Sequence, residues 1–339
     1  MKSIDADIKE GKFKNIYFLM GVEPYLIRLY RDKLVNALVG TDDELNCRYY
    51  DGPVSDMGEV IEYADTVPFF APRRVIVMEN TGLFKSSDDK LASYLKDMPE
   101  TTFMIFTECF RGERRDERKY ESALVDKRYK MYKTVHDLGR IIEFKRLQEA
   151  DLTNWLLRRF ADNGLKVTRR AMDCILEYVG DDMTRLVNES EKLICYRAGH
   201  SSVDEDDVKE ICSRNIDNDI FEMVGAIAAK NRRKALKLYY DLIELKVRSM
   251  NILALISREF NLLMQVKILK NSGRDKDDIS KLTRINPFFV GKYISVSGRF
   301  TSEYLREAVE ECVETETAAK QGLIDDMIAV EMLIIKYSS

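Results

Sequence analysis

The sequence contains few of the side chains on which metal sites and catalytic triads depend. Its 339 residues include only two histidines, His136 and His200, and these lie far apart in the chain. None of the six cysteines belongs to a C-x-x-C pair, and neither H-E-x-x-H nor G-x-S-x-G occurs. We therefore expect no catalytic residue, no metal site and no cofactor.

Long apolar runs are also missing. No run of hydrophobic residues approaches the roughly 20 that a membrane-spanning helix needs. The stretch from residue 1 to residue 15 is polar and lacks the apolar segment of a secretory signal. The cysteine spacing fits reduced thiols rather than a disulfide framework. These features predict a cytoplasmic protein with no membrane partner.

The chain has no excess of positive charge. Its 54 lysines and arginines are outnumbered by 58 acidic residues, which leaves a net charge of −4. A protein that binds DNA through its overall charge would be basic, so any nucleic-acid contact must be local or shared with partners. Two interpretations stay open for the densest basic patch of the C-terminal third, a solvated helix face or a contact with DNA phosphate. The patch comprises Lys230, Arg232, Arg233, Lys234 and Lys237.

A phosphate-binding loop is absent from the place where the pattern would put it. An apolar run at 15–20 predicts a strand, and Gly21 and Pro24 predict a turn into a helix. A working loop needs G-x-x-x-x-G-K-[ST], whereas this turn has one glycine and an acidic Glu23 that would repel phosphate. Glu79, at the end of a later strand, is interpreted as a solvated strand end rather than a catalytic base. The pattern thus indicates a nucleotide-binding fold without its chemistry.

The N-terminal region alternates predicted strands and helices. This alternation favours a parallel α/β sheet with helices on both faces. The basic run at 111–119 is interleaved with acidic residues and is interpreted as a solvated helix with ion pairs. Strands are predicted at 15–20, 47–50, 75–78, 101–107 and 139–144, and helices at 4–11, 24–38, 57–65 and 86–95.

From residue 147 onward the pattern is helical. A helix capped by Asp151 and three further helices end near residue 211, and the acidic clusters at 181–182 and 204–207 are interpreted as helix caps rather than metal ligands. A linker at 214–220 leads to at least five amphipathic helices without a strand. Breaks between these helices are predicted near Asn231, Val247, 271–273, Pro287 and 298–301. Three domains follow, 1–146, 147–212 and 213–339.

An unusual turn precedes the strand at 75–78. Phe69 and Phe70 lie between Pro68 and Pro72, and two prolines so close exclude a helix interior or a central strand. Neighbouring side chains on an extended backbone diverge, so we expect the two rings to point apart. Two interpretations remain: both rings pack beneath the turn as a satellite core, or they form a hydrophobic plug for a partner's pocket.

In the order of its predicted regions, an α/β region followed by a small helical region and a larger helical region, the chain resembles the delta subunit family of the bacterial DNA polymerase III clamp loader. The resemblance runs colinearly over almost the whole chain. Eight stretches carry it: YFLMGVEPYL at 17–26, PFFAPRRVIVMEN at 68–80, ESEKL at 189–193, RN at 214–215, IFEMV at 220–224, KAL at 234–236, SREF at 257–260 and NPF at 286–288.

The resemblance implies a fold and a function. The fold would be an AAA+-like α/β domain without a P-loop, a small helical lid domain and an all-α C-terminal collar domain for oligomerisation. Family members bind and open the ring-shaped beta sliding clamp by inserting two adjacent hydrophobic residues into a clamp pocket, and Phe69 and Phe70 match these positions. The pair is Phe-Phe here where the family also has an aliphatic-aromatic pair, and Pro72 stiffens the turn.

The resemblance also implies partners. These are the clamp, the tau/gamma and delta-prime subunits and, within the complex, primed DNA, which Arg232, Arg233 and Lys234 would contact. The chain would act in replication as part of the DNA polymerase III holoenzyme, while sister subunits bind and hydrolyse ATP. Two alternatives stay open: a degenerate AAA+ ATPase with a non-standard nucleotide loop, and a DNA-binding adaptor that has no clamp.

Overall fold

The computed structural model describes residues 2–40, 44–86, 89–112, 119–213, 216–285 and 287–339. The chain divides into two compact units, Met1–Gln148 and Glu149–Ser339. Within the described ranges, no helix combines the length and the apolar character needed to cross a membrane. The predicted division of the second unit into a lid and a collar stays a prediction.

A parallel five-stranded sheet forms the centre of the first unit, as predicted. The strand order is β2-β3-β4-β1-β5, and each neighbouring pair is parallel. The three central strands are buried along nearly their whole length, which explains their apolar sequences. The strands are β1 (Ile16–Gly21), β2 (Cys47–Asp51), β3 (Arg74–Glu79), β4 (Thr102–Cys109) and β5 (Arg140–Phe144).

The helices of this unit cover the sheet, and one predicted helix is wrong in extent. Ser86 is not helical, because its N–H closes a short 3-10 turn at Leu83–Lys85, and the helix begins only at Lys90. The predicted solvated helix at 111–119 lies mostly outside the described residues. The helices are α1 (Lys2–Glu10), α2 (Pro24–Val39), α3 (Met57–Asp65), α4 (Lys90–Tyr94), α5 (Tyr120–Leu124) and α6 (Lys130–Leu138).

Phe84, in the 3-10 turn, joins the helical layer to the sheet. Its ring stacks on Phe18 of β1 with a centroid separation of 3.7 Å. It also meets Phe106 of β4 edge to face at 5.5 Å. All three rings are fully buried, so this stack is the aromatic centre of the first core.

The second unit begins with short helices whose caps confirm most of the predicted boundaries. Thr168 accepts a hydrogen bond from the Ala171 N–H, and Asp182 accepts one from Arg185. Asp204 forms a capping box, so the acidic clusters are confirmed as caps. The elements are α7 (Glu149–Asp162), β6 (Lys166–Val167), α8 (Arg169–Val179), α9 (Met183–Tyr196), β7 (Ser202–Val203) and α10 (Glu205–Ile211).

Two details of this segment differ from the prediction. Asp151 does not cap α7, because the helix begins at Glu149 and already contains it. The parallel pair β6 and β7 was not predicted, since two-residue strands carry no periodic signal.

Seven helices complete the described part of the second unit. The predicted linker at 214–220 is wrong, because α11 begins at Ile216 and buries Ile220 in the core. Every predicted break is confirmed, and a further break at 321–325 was missed. The helices are α11 (Ile216–Ala228), α12 (Arg232–Glu244), α13 (Ser249–Asn271), α14 (Lys276–Thr283), α15 (Pro287–Ser297), α16 (Ser302–Lys320) and α17 (Asp326–Tyr337).

Candidate functional site

The turn between α3 and β3 presents two aromatic rings to solvent. Phe69 is 56% exposed and Phe70 is 98% exposed. Their ring centroids lie 4.7 Å apart with planes at 84°, an edge-to-face contact. The satellite-core interpretation is therefore wrong, and so is the expectation that the two side chains diverge. The rings form one contiguous projection, which we call the phenylalanine pair.

The backbone of Phe70 explains why the rings meet. Its φ is +49°, in the left-handed region that non-glycine residues rarely adopt. Successive side chains point to opposite sides only on an extended backbone, and the left-handed residue ends that alternation. Such a conformation costs roughly 1–3 kcal/mol, so surrounding contacts must hold it.

Asn46 holds the turn at Phe69. The side-chain Oδ1 of Asn46 accepts a hydrogen bond from the Phe69 N–H at 2.6 Å, and its Nδ2 donates to the Phe69 carbonyl at 2.9 Å. Asn46 is only 2% exposed, so its carboxamide is largely shielded from water and the two bonds are partly buried. No motif marked this residue, because its partner lies 23 positions further along the chain.

Arg74 holds the earlier part of the turn. Its guanidinium donates to the Tyr63 carbonyl at 3.3 Å, to Thr66 Oγ1 at 2.5 Å and to the Val67 carbonyl at 3.0 Å. The same group lies 4.3 Å from the centroid of the Tyr63 ring. A buried arginine at the first position of β3 thus fixes the chain that leads into the phenylalanine pair.

Further apolar side chains are exposed beside the pair. Val67 belongs to the same turn and is largely exposed. Leu45 is also exposed, and its carbonyl accepts a hydrogen bond from the Tyr63 hydroxyl at 3.1 Å. A group of exposed apolar side chains on a fixed turn is typical of a protein-binding surface.

The turn after β1, at the carboxyl edge of the sheet, does not have the structure of a phosphate-binding site. A Cβ at Gly21 would lie 2.1 Å from the Phe144 carbonyl oxygen, so this glycine allows β1 to approach β5. Glu23 is buried and pairs with Arg146 at 3.7 Å. A buried carboxylate therefore occupies the turn where phosphate would bind.

Glu79 at the end of β3 is not a solvated strand end. Its side chain is 20% exposed and forms an ion pair with Arg31 of α2. The solvated interpretation is wrong, because α2 brings an arginine over this end of the strand. This ion pair gives the Glu79 carboxylate a structural role.

Glu108, near the end of β4, was missed by the sequence reasoning. Its buried Oε1 accepts hydrogen bonds from the Gly82 N–H at 2.8 Å and the Thr81 hydroxyl at 3.4 Å. Burial raises the pKa of Glu108 above the ordinary carboxyl value, and these hydrogen bonds oppose the rise. One carboxylate thus ties β4 to the loop that follows β3.

This pKa shift predicts a pH dependence of stability. The folded state binds the Glu108 proton more tightly than the unfolded state, so stability falls as pH rises from about 4.5 through the raised pKa. Glu108→Gln keeps the acceptor oxygen and removes this titration. We expect the variant to gain stability relative to the wild type across that window, measured by urea unfolding at a series of pH values. A difference that stays constant with pH would contradict the assignment, and Glu10→Gln, at the exposed last residue of α1, is the control.

The residues of the basic patch in the second unit differ in their contacts: some are paired within the described parts of the chain and others are not. Lys234 pairs with Glu222 at 2.6 Å, and Lys230 donates to the Tyr337 carbonyl at 3.3 Å. Arg232 and Arg233 are exposed in the first turn of α12, and neither forms an ion pair with a residue that the structure describes. Lys237 is also exposed on α12 and forms no ion pair with a described residue, so these two arginines and Lys237 are the members of the patch that remain available to an anionic ligand.

The potential metal ligands are scattered. In the described parts of the chain, no group of three histidine, cysteine, aspartate or glutamate side chains is arranged to hold a metal ion. The six cysteines are free thiols, and burial raises the pKa of Cys212 and Cys312 to about 12 in each case. Burial thus keeps these two thiols protonated and unreactive.

Comparisons with known proteins agree along the length of the chain. The family model described as DNA polymerase III, delta subunit matches residues 17–135, and the model of the C-terminal domain of that subunit matches 217–337. The chain is 23% identical over 340 residues to the DNA polymerase III subunit delta of Bacillus subtilis (strain 168), covering 97% of this chain and 94% of the relative. It is 24% identical over 308 residues to a probable DNA polymerase III subunit delta of Aquifex aeolicus (strain VF5), covering 87% and 83%.

A solved structure has the same fold. The Bacillus subtilis DNA clamp loader delta protein superposes with a TM-score of 0.69 at 21% sequence identity, and the match covers 99% of both chains. This similarity confirms the predicted fold class, a parallel α/β sheet followed by helical regions. The phenylalanine pair lies within the first family match and the basic patch lies within the second.

Proposed function

Because this chain belongs to the delta subunit family of the DNA polymerase III clamp loader, we propose that it binds and opens the ring-shaped beta sliding clamp. The opened clamp would then be loaded on primed DNA. The observation that carries the proposal is the phenylalanine pair, two adjacent aromatic rings exposed on a turn that buried polar side chains hold in place.

The physical argument is differential binding. Burying an exposed phenylalanine in a pocket contributes about 1.5–3 kcal/mol. If the clamp pocket accepts the pair better in the open ring than in the closed ring, that difference shifts the ring towards the open state. Ring opening of this kind breaks no covalent bond, so it needs no catalytic residue in this chain.

The remaining parts of the proposal concern partners. The C-terminal helices would join the chain to the tau/gamma and delta-prime subunits, and ATP would act through those subunits. The turn after β1 supports the proposal that ATP acts through other subunits, since the buried Glu23 occupies the place where phosphate would bind.

Clamp opening is tested directly with the purified chain. A beta clamp that carries a fluorescent donor and acceptor across its opening interface should lose energy transfer when the chain is added without ATP. Unchanged energy transfer at saturating chain would overturn the proposal. Calorimetry with ATP tests the degenerate ATPase, which requires binding at micromolar affinity.

We also propose that Arg232 and Arg233 contact the phosphates of primed DNA within the assembled loader. Each phosphate contact releases about one counterion, so Arg232→Ala/Arg233→Ala should reduce the slope of log affinity against log salt by about 2. The measurement is primed-DNA binding by the loader at several salt concentrations. Lys320→Ala is the control, because Lys320 pairs with Glu316 on α16. An unchanged slope would remove these arginines from the DNA contact.

A further inference from the structure

We propose that Asn46 is a positioning residue that sets the direction in which the phenylalanine pair enters its partner. The inference rests on the proposed function, because it concerns how the same pair is presented. It assigns a role in clamp binding to a buried side chain that does not itself touch the clamp.

The first step is the match between one side chain and one peptide. A carboxamide offers an acceptor and a donor side by side, and the N–H and C=O of Phe69 are their complement. The N–H can only donate and the carbonyl can only accept, so Oδ1 must face the first and Nδ2 the second, at 2.6 and 2.9 Å. Neither an aspartate carboxylate nor an apolar side chain satisfies both groups.

The second step is the anchorage of Asn46 itself. Its carbonyl accepts a hydrogen bond from the Val75 N–H at 2.8 Å. The following residue, Cys47, is paired with Val75 in the β2–β3 register. The carboxamide is therefore held by the sheet, and Phe69 is positioned relative to the sheet rather than to the loop.

The third step is the strained residue that follows. Phe70 has a left-handed backbone, and a loop without restraints would relax out of it. Arg74 holds the carbonyls of Tyr63 and Val67, which precede Pro68. Asn46 holds Phe69 on the far side of that proline, next to the strain, so it keeps both rings in one projecting arrangement before the partner arrives.

The test uses the full-length chain and the beta clamp. Asn46→Ala should weaken clamp binding about tenfold, the effect of losing one or two hydrogen bonds that order the site. It should also speed chymotrypsin cleavage after Phe69 and Phe70. Val60→Ala, in the buried face of α3, lowers stability without touching the turn and should change neither readout.

Two further variants separate positioning from folding. Asn46→Asp preserves shape and the acceptor but loses the donor, so its binding loss should shrink as pH falls and the carboxyl regains a proton. In a Phe70→Ala background, Asn46→Ala should weaken binding by less than about threefold, because one of the two rings that it positions is gone. Equal losses in both backgrounds would overturn the inference.

The outcomes distinguish the inference from the function on which it rests. If Phe69→Ala/Phe70→Ala loses clamp binding while Asn46→Ala binds as the wild type does, Asn46 has no positioning role, but the proposed clamp contact of the phenylalanine pair is supported. If Phe69→Ala/Phe70→Ala binds as tightly as the wild type, the phenylalanine pair does not bind the clamp, and the inference about Asn46 is overturned as well.

Discussion

Replacing Phe69 and Phe70 together by alanine is expected to weaken clamp binding roughly 30- to 4000-fold. Phe70 is almost fully exposed and has nearly its whole side chain to bury, whereas Phe69 has about half. Taken with about 1.5–3 kcal/mol for a full phenylalanine burial, the pair would contribute about 2–5 kcal/mol. The fold should be unaffected, because neither Phe69 nor Phe70 is among the buried residues of the core.

The exposures also predict an order for the single variants. Phe70→Ala should lose more affinity than Phe69→Ala, since more of its surface leaves water on binding. Calorimetry or surface plasmon resonance against immobilised clamp measures both. Leu323→Ala is the matched control, because Leu323 is also a large apolar side chain, 74% exposed, but lies between α16 and α17. Equal binding by the wild type and the double variant would remove the pair from the clamp contact.

Gly21→Ala is expected to destabilise the chain by about 2–6 kcal/mol. The added Cβ would lie 2.1 Å from the Phe144 carbonyl oxygen, and φ of +150° strains any L side chain. The strands β1 and β5 pair at this point, so relief requires their separation. Urea unfolding of the purified chain measures the loss.

A second glycine provides the matched control. Gly225, within α11, has open space where its Cβ would be, so Gly225→Ala should stabilise the chain by about 0.5–1 kcal/mol. Opposite signs for the two substitutions would establish close packing as the role of Gly21. Unchanged stability with altered nucleotide binding in Gly21→Ala would favour the phosphate-turn interpretation instead.

The strands and caps were predictable because their signals are local. The central strands are β-branched or aromatic runs buried on both faces, and α3 was predicted with its observed bounds, Met57–Asp65. Thr168 and Asp182 cap helices through hydrogen bonds that span only three residues. The same local reasoning overextended the helix at 86–95, because the 3-10 turn at Leu83–Lys85 is favoured by the buried stack of Phe84 on Phe18.

The candidate site was predictable in part. Its position followed from two prolines around two phenylalanines, and its proposed role followed from the family resemblance. Asn46 and Arg74 were not predictable, because the first reaches Phe69 across 23 positions and the second is a charged side chain in a strand that reads as apolar. Glu79 was misinterpreted for a similar reason, since Arg31 lies 48 positions away.

By itself, the sequence determined the alternation of strands and helices, most of the helix caps and the lack of a phosphate-binding loop, because each depends on residues within a few positions of one another. Only the tertiary structure decided that Phe69 and Phe70 project together into solvent and that Gly21 serves strand packing. Exposure and close approach depend on segments distant in sequence, which the parallel sheet brings within hydrogen-bonding distance.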